Sequence, residues 1–131
     1  MNIIAISQNI SKLEFALFDR TCTRPAVSGE LKDWMKDGDM EGIPAKIAAE
    51  CTKALKRMNK IFAADLVCIR VPYGGQEFKA PEILSRKSLE KLGKIENAAP
   101  MHIPALLELI APLKKYFRGI PISLVFETSF F

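Results

Sequence analysis

Apolar positions along this 131-residue chain change period several times, and each change marks an element. Asn2 to Ser7 is a short apolar run, and Leu13 to Asp19 sets Leu13, Phe15 and Leu17 against Glu14 and Ala16. That alternation belongs to strands, and the polar link Gln8-Asn9-Ile10-Ser11 joins them as a hairpin. A third strand is expected near Ala26 to Ser28. Asp33 to Gly42 is polar, carries Gly38 and Gly42, and reads as loop or frayed turn. From Pro44 the period becomes helical: Ile47, Cys51, Ala54, Leu55 and Met58 form one apolar stripe as far as about Asn59. Leu66 to Val71 is apolar and rich in β-branched residues, the signature of a strand covered on both faces. Ser88 is expected to cap a short helix bearing Leu89, Leu92 and Ile95. Pro104 opens another through Leu106, Leu109, Ile110 and Leu113, with Pro112 kinking it and Gly119 stopping it. Ile122 to Phe126 reads as a final strand.

The order β-β-β-α-β-α-α-β describes an α/β fold, a mixed five-stranded sheet flanked by helices, in one domain spanning residues 1–131. A short hairpin makes the first two strands antiparallel. Long helical crossovers make the Leu66 and Ile122 strands parallel to the first.

Composition narrows the picture modestly. Charged residues at 26% and hydrophobic ones at 49% suit an ordinary soluble globular protein. No apolar run approaches the roughly 18 residues of a membrane span, and Met1-Asn2-Ile3-Ile4-Ala5-Ile6 lacks a positive leader, so no membrane partner is expected. Cys22, Cys51 and Cys68 form no CxxC pair and leave an odd thiol, which fits reduced cysteines and a cytoplasmic location. The single His excludes a His-rich metal site. A net charge of +4 mildly favours anionic partners and is too small to argue for nucleic acid.

Candidate chemistry gathers at strand ends. In Ile69-Arg70-Val71-Pro72-Tyr73-Gly74-Gly75, an arginine closes the apolar strand and a Gly-Gly loop follows at once. Ligands of open α/β sheets sit beyond the carboxyl ends of strands, so Arg70 either holds an anion or pairs with a structural carboxylate. Gly74 and Gly75 permit close backbone approach to a ligand. His102, in Ala99-Pro100-Met101-His102-Ile103-Pro104, either donates to an oxyanion or caps the following helix. Glu127 follows the final strand, as a metal or proton acceptor or as a solvated strand-end carboxylate. The basic helix face Lys53, Lys56, Arg57 and Lys60 reads as solvated surface.

Taken in order, these segments resemble the N-terminal domain of the acetokinase family (acetate, propionate and butyrate kinases), within the actin-like phosphotransferase superfamily. Ser7-Gln8-Asn9-Ile10-Ser11-Lys12-Leu13, with Phe15, Leu17 and Asp19, stands where that family has a strand, an Asn-x-Gly-Ser-Ser-Ser hairpin and a second strand. Ile69 to Gly75 matches its His-Arg-Val-Val-His-Gly-Gly segment, Ala99 to Pro104 its Ala-Pro-Leu-His-Asn-Pro segment, and Phe126 to Phe131 its Phe-Asp-Thr-Ala-Phe-His segment. The resemblance implies a ribonuclease H-like (actin-like ATPase) fold. It implies that Arg70, His102 and Glu127 are catalytic, with Arg70 on the substrate carboxylate or the transferring phosphoryl group. Pro72, Gly74, Gly75 and Met101 would complete the substrate pocket, Asn9 and Ser11 would bind phosphate, and Glu127 and Ser7 would attend Mg. Serine stands at position 7 for the family's Asn, glutamate at 127 for its Asp, and Ile69 and Tyr73 for two histidines.

The resemblance also implies ATP and Mg in the complete enzyme, neither tightly bound to this chain, and a short-chain carboxylate or acyl phosphate as substrate. Family members carry a second, nucleotide-binding domain. The expectation is therefore a half-enzyme inactive in isolation, which self-associates or meets a chain supplying that domain through an apolar edge including Met101, Phe130 and Phe131. The alternative is a non-catalytic descendant binding a small anion or another protein.

Overall fold

The computed structural model describes residues 2–8, 12–19, 24–34, 40–71, 80–95 and 103–126. Its strands are β1 (Asn2–Gln8), β2 (Lys12–Asp19), β3 (Val27–Lys32), β4 (Leu66–Val71), β5 (Glu82–Ile83) and β6 (Ile122–Phe126). Its helices are α1 (Ile43–Arg57), α2 (Arg86–Lys94) and α3 (Ile103–Tyr116), with a 3-10 turn at Met40–Gly42 before α1. All the strands join one sheet, ordered β3-β2-β1-β4-β6-β5.

Pairing follows the expected directions. β1 runs antiparallel to β2, β4 parallel to β1, and β6 parallel to β4. Among the described residues the sheet has six strands rather than five: β5 is two residues long and antiparallel to β6. So short a strand has no period to read.

Burial alternates strictly. Ile4 and Ile6, Leu13, Phe15 and Leu17, Val67, Ile69 and Val71, and Ile122, Leu124 and Phe126 are all buried on one face. Ile47 and Leu55 of α1, Leu92 of α2, and Leu106, Leu109 and Leu113 of α3 join them in one core cluster. The alternate positions are half-buried or exposed. β4 is therefore covered on one face and not two: Leu66 and Cys68 are half-buried, and Arg70 is exposed. Its apolar run misled because two of its members are a leucine and a cysteine on the less covered side. Opposite Phe15 lies Gly29, where an added Cβ would sit 2.7 Å from Phe15 Cζ. The glycine is there to let the ring lie across it.

Helix boundaries have local causes. Pro44 sits in the first turn of α1, and beyond its end Asn59 takes φ 58°, a left-handed exit that asparagine tolerates. Lys53, Lys56 and Arg57 are exposed as expected, whereas Lys60 reaches Asp19 Oδ2 at 2.6 Å and ties the end of α1 to β2. Pro112 is buried within α3, which continues to Tyr116, and Gly119 turns the chain at φ 82°. Among the described residues no helix is long and apolar enough to cross a membrane.

The cap of α2 is Ser85, not Ser88. Ser85 Oγ accepts the Ser88 amide at 3.2 Å, and Ser88 Oγ accepts the Ser85 amide at 3.2 Å. A Ser-x-x-Ser pair offers two hydroxyls for one cap, and burial separates them: Ser88 is fully buried in the first turn. Its hydroxyl donates to Glu82 Oε2 at 2.7 Å, and Lys91 holds Glu82 Oε1 at 2.9 Å, so β5 is fastened to α2.

Ser88→Ala should cost about 1–3 kcal/mol in urea unfolding, since it strips a buried network of its central hydroxyl. The Ser88 hydrogen bond first, and Lys91 second, hold the Glu82 carboxyl below its ordinary range. A folded value below the unfolded one gives stability present at neutral pH and lost as pH falls through the folded value. The partly exposed pair contributes no more than about 1 kcal/mol. Glu82→Gln should therefore destabilise at pH 7 by that amount, and by progressively less as pH falls through the folded value; a loss that does not shrink on acidification would contradict this linkage.

Candidate functional site

Ser7 and Arg70 face each other across adjacent parallel strands, in direct register between β1 and β4. Each is the penultimate residue of its strand, at the carboxyl edge where ligands of α/β sheets bind. Arg70 Nη1 donates to Ser7 Oγ at 3.4 Å. Val125 of β6 flanks Arg70 on the other side. Since Arg70 is exposed, it carries no burial penalty of the kind its apolar strand suggests. The pleat turns it away from the core. An exposed guanidinium fork in that position suits carboxylate or phosphate oxygens.

Arg70 lines a trough of about 690 Å³ on the less covered face of the sheet. Register sorts this face into rows across the strands. Phe18, Ile3 and Leu66 form the row nearest the amino edge, and Ala16, Ala5 and Cys68 form the next. Above them run Glu30, Glu14, Ser7, Arg70 and Val125, from β3 to β6. Lys12 Nζ lies 3.1 Å from Glu14 and 3.6 Å from Glu30, and Lys32 lies 4.0 Å from Glu30. The Glu14 hydrogen bond, then the charges of Glu14 and Glu30, raise the pKa of Lys12. Sequence reading passed over this acidic end, because only cross-strand register brings Glu14 and Glu30 into line with Ser7.

It also passed over Gln8, read as part of the hairpin link. Gln8 is the last residue of β1, faces the core and is 7% exposed. Neither atom of its amide finds a hydrogen-bond partner in the described structure. Burial raises the pKa of Cys68, and burial followed by the Glu50 charge pushes that of Cys51 up to about 11. Neither thiol is poised as a nucleophile.

Of the residues the sequence singles out, Ser7 and Arg70 are brought together. Asn9, Ser11, Pro72, Gly74, Gly75, Met101, His102 and Glu127 lie outside the described residues, as do Phe130 and Phe131. Among the described residues, no group of three or more His, Cys, Asp or Glu is placed to hold a metal. Ser7 Oγ already meets a guanidinium, whose charge opposes a dication at that oxygen. The described residues alone do not fit Mg.

The Acetokinase family model matches residues 32–131. The acetate kinase of Helicobacter pylori (strain Shi470) is 29% identical over 155 residues, covering 99% of this chain and 38% of its own length. That of Trichormus variabilis (strain ATCC 29413 / PCC 7937) is 34% identical over 79 residues, covering 60% of this chain and 19% of its own. The solved propionate kinase from Francisella tularensis subsp. tularensis SCHU S4 superposes with a TM-score of 0.77 at 22% identity, over 98% of this chain and 37% of that one. This likeness shows the fold, an actin-like α/β domain. The chain spans about 38% of the length of the Helicobacter relative.

The two described thiols should differ sharply toward a maleimide at pH 8. Cys51, fully buried and with its pKa near 11, should react only on unfolding. Cys68, half-buried at the floor of the trough, should react slowly in the native state. Peptide mapping of the labelled protein checks this, and native labelling of Cys51 ahead of Cys68 would contradict the burial described.

Proposed function

The chain belongs to the acetokinase family, and we propose that it is the anion-holding half of a phosphotransferase acting between ATP and a short-chain carboxylate. The observation that carries this reading is the Ser7–Arg70 pair, set in register at the carboxyl ends of adjacent parallel strands. Arg70 holds a carboxylate or phosphoryl oxygen. In this reading His102 and Glu127 join it, Pro72, Gly74, Gly75 and Met101 shape the pocket, and Asn9 and Ser11 receive phosphate. Mg and ATP belong to the complete enzyme. Transfer of a phosphoryl group depends on positioning and charge stabilisation from both sides. These residues span about 38% of a relative's length, and in this reading the nucleotide side lies outside them.

A second reading is favoured by the Ser7 hydroxyl, which is engaged by Arg70 where the family has Asn. In it the domain binds a small anion or a protein without turnover.

The isolated chain should give no acyl phosphate from ATP, Mg and acetate, propionate or butyrate in a hydroxamate assay. Acetate and acetyl phosphate should nonetheless shift the NMR resonances of residues around Arg70. Arg70→Gln removes a charge-assisted contact worth about 1.5–3 kcal/mol and should weaken that binding about 10- to 100-fold. Unchanged affinity in Arg70→Gln would sink the anion site. Robust turnover by the isolated chain would sink the half-enzyme.

A further inference from the structure

We propose that Gln8 is a ligand-binding residue: at the carboxyl end of β1 its carboxamide gives an N–H to an oxygen of a bound oxyanion, a carboxylate or a phosphate. The inference rests on the anion site of the proposed function and adds a contact to it.

The core-facing positions of β1 read Ile4, Ile6 and Gln8. Two buried isoleucines at a period of two predict a third apolar residue, and a carboxamide that is 7% exposed stands there instead. Leu13 lies opposite it in direct register on β2. On the β4 side Val71 follows Arg70, the partner of Ser7, and Val71 pairs in turn with Phe126. Leu13, Val71 and Phe126 are fully buried, and no side chain among them donates or accepts a hydrogen bond. Gln8 and Ser88 are the two buried polar side chains among the described residues. Ser88 Oγ meets the Glu82 carboxylate, the Ser85 amide and the Ile83 carbonyl. Neither Nε2 nor Oε1 of Gln8 meets a partner among the described residues.

A carboxamide buried in this way destabilises the fold, and an apolar side chain would remove that penalty while completing the row. Stability therefore does not account for glutamine here, whereas position does. Gln8 is the last residue of β1, one place beyond Ser7, at the edge where ligands of α/β sheets bind. The pleat sends Ser7 to one face and Gln8 to the other, so a ligand beyond the strand end is met from both sides of the sheet. In this structure the carboxamide is turned inward, and rotation about its side-chain bonds carries it to the edge. It brings two N–H donors, and a carboxylate or phosphate brings several acceptor oxygens. Binding satisfies the donor, and Oε1 gains access to water at the edge.

The chain has two glutamines, Gln8 and Gln76, so the Gln8 side-chain amide pair in a nitrogen–proton correlation spectrum is assigned by its loss in Gln8→Met. Acetate and inorganic phosphate, titrated separately, tell the two classes of oxyanion apart. The anion that binds should shift the Gln8 pair with the same dissociation constant as the backbone resonances around Arg70. Gln8→Met, of matched length, and Gln8→Leu should each weaken that binding about 10-fold. Each should also raise the urea midpoint by roughly 0.5 M. A merely structural role would not move affinity and stability in opposite directions. An amide pair unmoved at saturation, unchanged affinity in both variants, or a lowered urea midpoint, as a buried structural water would give, would each overturn the proposal. If Arg70→Gln weakens binding and Gln8→Met does not, the anion site stands and the role of Gln8 fails alone. If neither anion binds the wild-type chain, the proposed function fails, and the role of Gln8 with it.

Discussion

The parallel pairing of β1 with β4 holds the core and the site in one arrangement. Burying Ile4 and Ile6 beside Val67 and Ile69 fixes which face each strand gives the helices. With a period of two, Ser7 and Arg70 must then emerge on the other face, side by side. A one-residue slip of β4 would expose Val67, Ile69 and Val71 and send the guanidinium into the core. Apolar burial of several such side chains, about 1.5–3 kcal/mol each, thus fixes the position of one charge-bearing pair.

The constraint also explains what could be read from the chain. Ile122 to Phe126 was legible to the residue, because it is a short apolar, β-branched run just after the Gly119 turn, and its alternate residues Ile122, Leu124 and Phe126 are the buried ones. The parallel and antiparallel directions followed from the lengths of the connections. Three features were not legible. β5 is too short to have a period, and it exists because Ser88 and Lys91 grip Glu82 from α2. Ser85 and Ser88 are equivalent caps until burial distinguishes them. Coverage of β4 on one face depends on where the helices go, which no property of Leu66–Val71 encodes. As for the site, spacing alone left Arg70 with two readings. Family likeness carried the rest, and of that set the fold has so far brought Ser7 and Arg70 together.

Electrostatics on this face depends more on placement than on strength. Exposed ion pairs such as Lys12–Glu14 contribute little to stability, since water and salt screen them. Their effect is organisational: Lys12 draws Glu14 and Glu30 into one acidic end, and Arg70 stands two strands away with Ser7 between. Gln8 poses the opposite problem. A carboxamide buried at the edge of the core, with no partner among the described residues, carries a desolvation cost of about 1–3 kcal/mol. Such a group is ordinarily answered by a water, an ion or a ligand.

Two layers suffice for a core, yet central parallel strands are ordinarily covered on both faces. Here the less covered face of those strands is furnished with Ala5, Cys68 and Ser7, side chains that expose little apolar area each. At about 25 cal/mol per Å², leaving them half-covered costs far less than leaving a row of leucines so. Larger groups, Phe18, Ile3 and Leu66, are confined to the amino edge, away from Arg70. A face built this way tolerates being open and gains modestly from being closed. The carboxyl-edge guanidinium is thus set apart from the bulkier apolar groups of this face.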